Sequence, residues 1–271
     1  MDRAKTNPLL LRIISAAVLG PIVLAAVWLQ GPLLAALVLA GLAGMAWEWA
    51  RLAGRGRFGP AGIAVLITAE AAVGVLALGG TGGTACLVAA LGGAGVYAIA
   101  AATRLREPLW LALGTLWIVL GTVAFFWLAR PPELGRETAL WLLFVVWAND
   151  IAAYFAGKGI GGPKLAPRLS PNKTWAGFAG GVASSGLVGA LAMGVGWASS
   201  ASVVVVSVGL GVASQLGDLA ESLAKRHFGV KDSSGLIPGH GGLLDRVDGL
   251  LAASLLAGGV SLAVGRSPLL W

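Results

Sequence analysis

Apolar residues run along this chain in long blocks, and polar residues gather in the short gaps between them. Nine blocks, at about 8–29, 32–53, 60–79, 84–103, 109–129, 138–157, 175–197, 202–225 and 243–265, are near the ~20 residues that cross a bilayer as a helix. The gaps carry turn chemistry: Gln30-Gly31-Pro32, Gly79-Gly80-Thr81-Gly82-Gly83, Arg130-Pro131-Pro132 and Trp197-Ala198-Ser199-Ser200. Glycines recur inside the blocks at small-residue spacing, which suits close helix contacts in lipid. The pattern predicts an all-α, polytopic membrane protein with about nine transmembrane helices. We read it as one integrated membrane unit in three stretches. Residues 1–103 hold helices 1–4, residues 104–174 hold helices 5–6 and a basic glycine-rich loop, and residues 175–271 hold helices 7–9. The first block follows Arg3, Lys5 and Arg12, as a signal peptide does. It continues to about Trp28 without an evident small-residue cleavage site, and is read as an uncleaved first span.

Composition agrees, since 57% of the 271 residues are hydrophobic and only 11% charged, against about 25% charged in soluble domains. The net charge of +7 admits nucleic acid or an anionic membrane surface as partner. The basic residues sit in the gaps and no nucleic-acid motif is visible, so the bilayer is the expected partner and nucleic acid is not. Placing the N-terminus in the cytoplasm distributes the 19 Lys and Arg very unevenly. Arg3, Lys5, Arg12, Arg51, Arg55, Arg57, Arg104, Arg106, Lys158, Lys164, Arg168, Lys173, Lys225, Arg226, Lys231 and Arg246 fall inside, and Arg130, Arg136 and Arg266 outside. This predicts a cytoplasmic N-terminus, an external C-terminus and a multi-pass protein of the inner membrane whose polar loops face the cytoplasm. Cys86 is the sole cysteine, so no intrachain disulfide is possible.

The eighth block loses its apolar character in its second half. Ser214, Asp218, Glu221, Ser222 and Lys225 recur at helical spacing and share one face. Charges at membrane depth are costly, so such a stripe faces protein or a water-filled cavity; the alternative to a functional role is a helix-packing seam, or snorkelling of Lys225 and Arg226. Next comes Lys231-Asp232-Ser233-Ser234-Gly235-Leu236-Ile237-Pro238-Gly239-His240-Gly241-Gly242, and the ninth block opens on Leu243-Leu244-Asp245-Arg246-Val247-Asp248. Asp245 and Asp248 share one face of a first helical turn. With Asp218 at similar depth they form a carboxylate set without Cys or His, which suits Mg2+ held jointly with substrate phosphates. Gly239, Gly241 and Gly242 would let backbone amides approach an anion, or serve only as turn residues, and His240 is read as a substrate contact or a loop cap.

The other long polar gap, Gly157 to Trp175, is basic and glycine-rich without the spacing of a Walker loop, and Lys158 and Lys164 there fit phosphate binding or ordinary loop topology. Asn149, Asp150, Glu48 and Glu70 are polar residues inside apolar blocks. Glu48, between Trp47 and Trp49, fits an interfacial ion pair with Arg51 as well as a functional role.

The run Ser222-x-x-Lys225-Arg226-x4-Lys231-Asp232-x5-Pro238-x-His240-Gly241-Gly242-x-x-Asp245-Arg246-x-Asp248 spans 27 residues and resembles the signature of the phosphatidate cytidylyltransferases, or CDP-diglyceride synthases. Ser170-Pro171-Asn172-Lys173-Thr174-Trp175, Gln215-x-Gly217-Asp218 and Trp47-Glu48-Trp49 are similar to the same family. Ala224 and Ala176 depart from it, the family having a larger aliphatic residue and often a Glu there. The resemblance implies a CTP-dependent nucleotidyltransferase of phospholipid biosynthesis, converting CTP and phosphatidic acid to CDP-diacylglycerol and pyrophosphate. It also implies a homodimer and a second, monovalent ion such as K+ beside Mg2+. On this reading Asp218, Lys225, Asp245 and Asp248 are catalytic, with the three aspartates placing the metal. Lys173, Lys225, Arg226, Lys231 and Arg246 contact phosphates, and Ser222, Asp232, His240, Gly241 and Gly242 complete substrate binding. Alternatives are a proton- or cation-coupled transporter using Glu48, Glu70, Asp150 and Asp218, or a CTP-dependent lipid-alcohol kinase.

Overall fold

A computed structural model describes residues 8–131 and 133–270; Arg3, Lys5 and Pro132 of the sequence reading lie outside the described residues. Among the described residues nine helices are long and apolar enough to cross a membrane. They are α1 (Pro8–Leu29), α2 (Gly31–Ala53), α3 (Gly59–Ala77), α4 (Gly82–Ala102), α5 (Pro108–Ala129), α6 (Gly135–Gly159), α7 (Trp175–Gly194), α8 (Ser202–His227) and α9 (Leu244–Val264). A short 3-10 turn, Pro268–Leu270, follows. The predicted nine-span, helical membrane fold therefore holds.

Local signals set the helix starts. Proline occupies the first or second position of α2, α3 and α5, where its missing N–H costs nothing. Thr81 and Thr174 cap α4 and α7, each accepting from the amide three residues on. One element departs from the all-helical expectation. Within the gap before α7, β1 (Lys164–Ala166) pairs antiparallel with β2 (Ser170–Thr174), Lys164 opposite Thr174 and Ala166 opposite Ser170. Left-handed Gly161 and Gly162 stop α6 from continuing, and the Pro163 carbonyl accepts the Trp175 amide, which closes the hairpin's base.

The helices form two groups. One comprises α2 to α5; the other packs α6 on α7, α7 on α8 and α8 on α9, and α5 against α9 joins them. α1 stands at the margin and is the least buried span. Lipid supplies no hydrophobic drive between helices, so close approach and hydrogen bonds must hold them. At Gly217 an added Cβ would lie 2.6 Å from the Ala252 Cβ and 2.8 Å from the Asp248 carbonyl, which brings α8 and α9 into backbone contact. Across α6, α7 and α8, Gln215 Nε2 donates to Asn149 Oδ1 (3.0 Å) and the Phe178 carbonyl (3.1 Å), and Asn149 Nδ2 donates to the Gly211 carbonyl (3.2 Å). Trp141 Nε1 donates to Ser207 Oγ at 3.0 Å, and Trp49 Nε1 to the Leu111 carbonyl at 2.9 Å. At the end bearing Asp218, Glu107 ahead of α5 is paired with Arg55 and with His227 at the end of α8. These two partners, His227 first, hold its carboxyl below the usual carboxylate range.

Candidate active site

The C-terminal half of α6, the hairpin, the end of α8 and the start of α9 surround a cavity of about 680 Å3. Its walls carry Asp150, Asp218, Asp232, Asp245 and Asp248 together with Lys158, Lys173, Lys225 and Arg246. Lys173, Asp218, Lys225, Asp232, Asp245, Arg246 and Asp248 were all expected from the sequence, and the fold brings these residues, drawn from three separate segments, to one opening. Asn172, Tyr154 and Gln215 complete the wall as residues not anticipated as site groups.

The charges are interleaved. Lys173 Nζ lies 2.7 Å from Asp218 Oδ2, which also brings β2 to α8. Lys225 is clamped between Glu221, one turn earlier on its own helix, and Asp245 Oδ1 at 2.7 Å. Ser222 Oγ donates to Asp218 Oδ1 at 3.3 Å, so it orients a carboxylate rather than lining the cavity. Asp248 Oδ1 accepts the Gly249 amide at 2.8 Å. Asp150 is a neighbour of Asp218 and Asp248, and their like charges act on one another.

Five expected substrate contacts, Arg226, Lys231, His240, Gly241 and Gly242, have other partners or positions. Arg226 donates to the Val230 carbonyl (3.0 Å) and the Leu169 carbonyl (3.4 Å), tying the α8 end to the hairpin turn. His240 Nδ1 lies 2.6 Å from Ser15 Oγ on α1, while Arg12 Nε donates to the Gly239 carbonyl at 2.8 Å. Partial burial first, then the charges of Arg246 and Arg12, hold the His240 pKa below its ordinary 6.5. Lys231 is exposed and stands outside the cavity wall. The expected glycine nest is taken up in part from within the protein: the Gly242 amide donates to Asp245 Oδ2 at 2.8 Å, while the Gly241 carbonyl accepts the Ile237 amide.

The carboxylates also divide differently from the expected trio. Asp245 Oδ1 takes Lys225, and Oδ2 takes the amides of Ser233 (3.0 Å) and Gly242 (2.8 Å). Its position at the helix start draws it to the loop amides, and Asp150, Asp218 and Asp248 are left as the acids that act on each other across the cavity. Among the described residues no three His, Cys, Asp or Glu side chains converge as a ready metal cage. The donor set nonetheless fits Mg2+, because that ion is commonly held by one or two carboxylates plus substrate phosphates and water rather than by an all-protein cage.

Glu48 corrects the sequence reading. Its carboxylate is buried and bonded to Ser233, Ser234 and the amides of Leu243 and Leu244, while Arg51 lies over the Trp47 ring. Glu70 sits on α3 and is not part of the cavity wall, so the transporter's four proposed acids do not share one site.

A bilayer-spanning bundle with a two-signed polar cavity among three helix ends is the architecture of an enzyme that handles phosphates beside lipid. The cytidylyltransferase family model matches residues 10–260, and the chain belongs to that family. It is 38% identical over 256 residues to a phosphatidate cytidylyltransferase of Pseudomonas aeruginosa, covering 89% of this chain and 93% of that one. It is 48% identical over 152 residues to a phosphatidate cytidylyltransferase of Brucella suis, that match spanning 54% of this chain and 55%, about half, of the relative. A third relative of the same name, from Bacillus subtilis, is 41% identical over 121 residues, 44% of this chain and 45% of its own.

Proposed function

We propose that the chain transfers the cytidylyl group of CTP to phosphatidic acid, forming CDP-diacylglycerol and releasing pyrophosphate, at the cytoplasmic face of the inner membrane. The observation that carries this reading is the single cavity in which Lys158, Lys173, Lys225 and Arg246 meet Asp150, Asp218 and Asp248 in a chain of the cytidylyltransferase family. Its volume of about 680 Å3 suits a nucleotide, since small-molecule sites run to roughly 300–1,000 Å3.

A phosphatidate oxygen attacks the α-phosphorus of CTP in line. The new P–O bond forms as the α–β anhydride bond breaks, and its electron pair leaves with pyrophosphate. The attacking phosphomonoester has a second pKa near ~6 and is largely ionised at neutral pH, so it needs little help from a base. Repulsion between two polyanions is the larger obstacle. Lys158 at the end of α6, Lys173 on β2 and Arg246 on α9 neutralise the phosphates where they meet. Asp218 and Asp248, with Asp150 beside them, would hold Mg2+, which supplies charge neutralisation at the phosphoryl oxygens. Lys225 is held in place by Glu221 and Asp245 and presents its ammonium to the cavity without freedom to swing. The acyl chains stay in the bilayer while the headgroup enters from the membrane side. A homodimer and a monovalent ion such as K+ belong to the same proposal.

The test uses purified protein, labelled CTP and phosphatidic acid in mixed micelles. The expected product is a CDP-lipid whose formation requires phosphatidic acid and Mg2+. Label transferred instead from the γ-phosphate of CTP to a free lipid alcohol would establish the kinase chemistry and overturn the proposal.

A further inference from the structure

Glu48 lies on α2, far in sequence from every residue of the cavity wall, yet it is bound to the loop that ends in α9. Each carboxylate oxygen takes one serine hydroxyl and one helix-start amide. Oε1 accepts Ser234 Oγ (2.5 Å) and the Leu243 amide (2.8 Å). Oε2 accepts Ser233 Oγ (3.2 Å) and the Leu244 amide (2.8 Å). The residue is 1% exposed and its four partners are neutral dipoles, two of them at the positive end of the α9 macrodipole. The α9 start lacks a side-chain cap of its own, so Glu48 serves as a cap supplied by a different helix. A Cβ on Gly242 would stand 2.9 Å from both Glu48 oxygens, so a glycine at 242 is what lets the carboxylate reach the amides.

The consequences run to the cavity. Leu243 and Leu244 precede Asp245 directly, and Asp248 lies one turn further on. Ser233, whose hydroxyl is held by Glu48, gives its amide to Asp245. We infer that Glu48 is a positioning residue for the proposed reaction: a cross-helix anionic cap that fixes the start of α9 and the 232–243 loop, and through them the orientation of Asp245 and Asp248. The inference rests on the reading of the cavity as the nucleotidyl-transfer site, but the tethering itself does not require it.

The experiment compares Glu48→Gln with the parent by hydrogen exchange of the purified protein in detergent. A glutamine must turn its NH2 toward one hydroxyl–amide pair, where donor meets donor. Exchange at 232–244 should rise about tenfold or more while α2 itself keeps its protection. The Mg2+ concentration giving half-maximal CDP-lipid formation should rise about tenfold, a shift that mere loss of folded protein would not produce. If Glu48→Gln does not fold, the double change Ser233→Ala with Ser234→Ala, which keeps the carboxylate and the amides, should still speed exchange at 232–236. Unchanged loop exchange in the folded variants, or loosening spread equally through α2, overturns the inference. If the parent forms no CDP-lipid while the exchange result holds, the functional reading fails and the tether stands.

Discussion

Two cavities of similar size open at opposite ends of the bundle, and they differ in what their charges are doing. The one near the α1–α2 turn, of about 800 Å3, has walls of Leu34, Leu39 and Phe126 with Arg130, Arg136, Glu133 and Glu137 among them. Its arginines have structural partners: Arg130 reaches the Gly80 carbonyl, and the Arg136 guanidinium lies over the Trp28 ring at 5.0 Å. The cavity at the Asp218 end is slightly smaller, yet nine charged side chains from five structural segments line it. Size therefore does not mark the site. What marks it is the convergence of acids and bases that the membrane would otherwise exclude, each costly at that depth unless it serves a ligand or a partner.

The sharpest way to break this comparison is to remove an acid from the smaller cavity. Asp248→Asn and Asp218→Asn should each lower turnover by about a hundredfold or more, in line with the loss of a group that places transition-state charge. CDP-lipid formation at saturating CTP measures it, with thermal unfolding as the control for folding. Asp218→Asn also weakens the tie to Lys173, so its effect should be the larger of the two. Turnover within about threefold of the parent in both variants would move the chemistry elsewhere.

Much of this was legible in the chain itself, for a physical reason. A bilayer demands long apolar spans, so nine helices and their limits follow from hydropathy almost residue by residue. Charges in such a chain are few, so Asp218, Lys225, Asp245 and Asp248 stand out against their background. Partnership was harder to read. Glu48 fitted an ion pair with nearby Arg51 as well as a functional role, whereas its partners lie nearly two hundred residues away. The glycines 239, 241 and 242 resembled an open anion site, but whether an amide is free depends on which carboxylate reaches it: Asp245 takes the Gly242 amide, and Glu48 takes the next two, of Leu243 and Leu244. Asp150 was visible only as an oddity inside α6. The hairpin at 164–174 was missed because its strands are only three and five residues long, too short for an alternating pattern to show.

A smaller effect should separate the active end into a fixed part and a tunable part. Ser15 on α1 and His240 in the loop form a contact from the least buried helix to the site. The folded-state pKa of His240 is lowered, so in the acid range the unfolded chain binds more protons at this position than the folded one. Its contribution is complete above about 6.5 and is lost as pH falls through the lowered value. Lowering the pH from about 7.5 to 5.5 should thus reduce the protection factors at 239–241, that is the exchange rates corrected for the intrinsic pH dependence of amide exchange, by a few-fold, and His240→Gln should abolish that reduction. An identical pH response in parent and variant would assign the effect to another group.

The least effect is expected at the opposite cavity, and its smallness is what the comparison requires. Arg136→Gln removes the guanidinium from above Trp28. Arg136 is half-buried, and a cation–π contact contributes from about 0.5 kcal/mol at exposed sites to about 2 kcal/mol when desolvated. Stability should fall by no more than about 2 kcal/mol, and turnover should stay within about twofold, because among the described residues no hydrogen bond or ion pair links Arg136 to the Asp218 cavity. Steady-state rates and a thermal unfolding curve, taken on the same preparation, decide it. A tenfold loss of turnover with unaltered stability would mean that the two ends are coupled and that the larger cavity takes part in the reaction cycle. A parent-like rate would leave convergent charge, and not volume, as the feature that distinguishes the site.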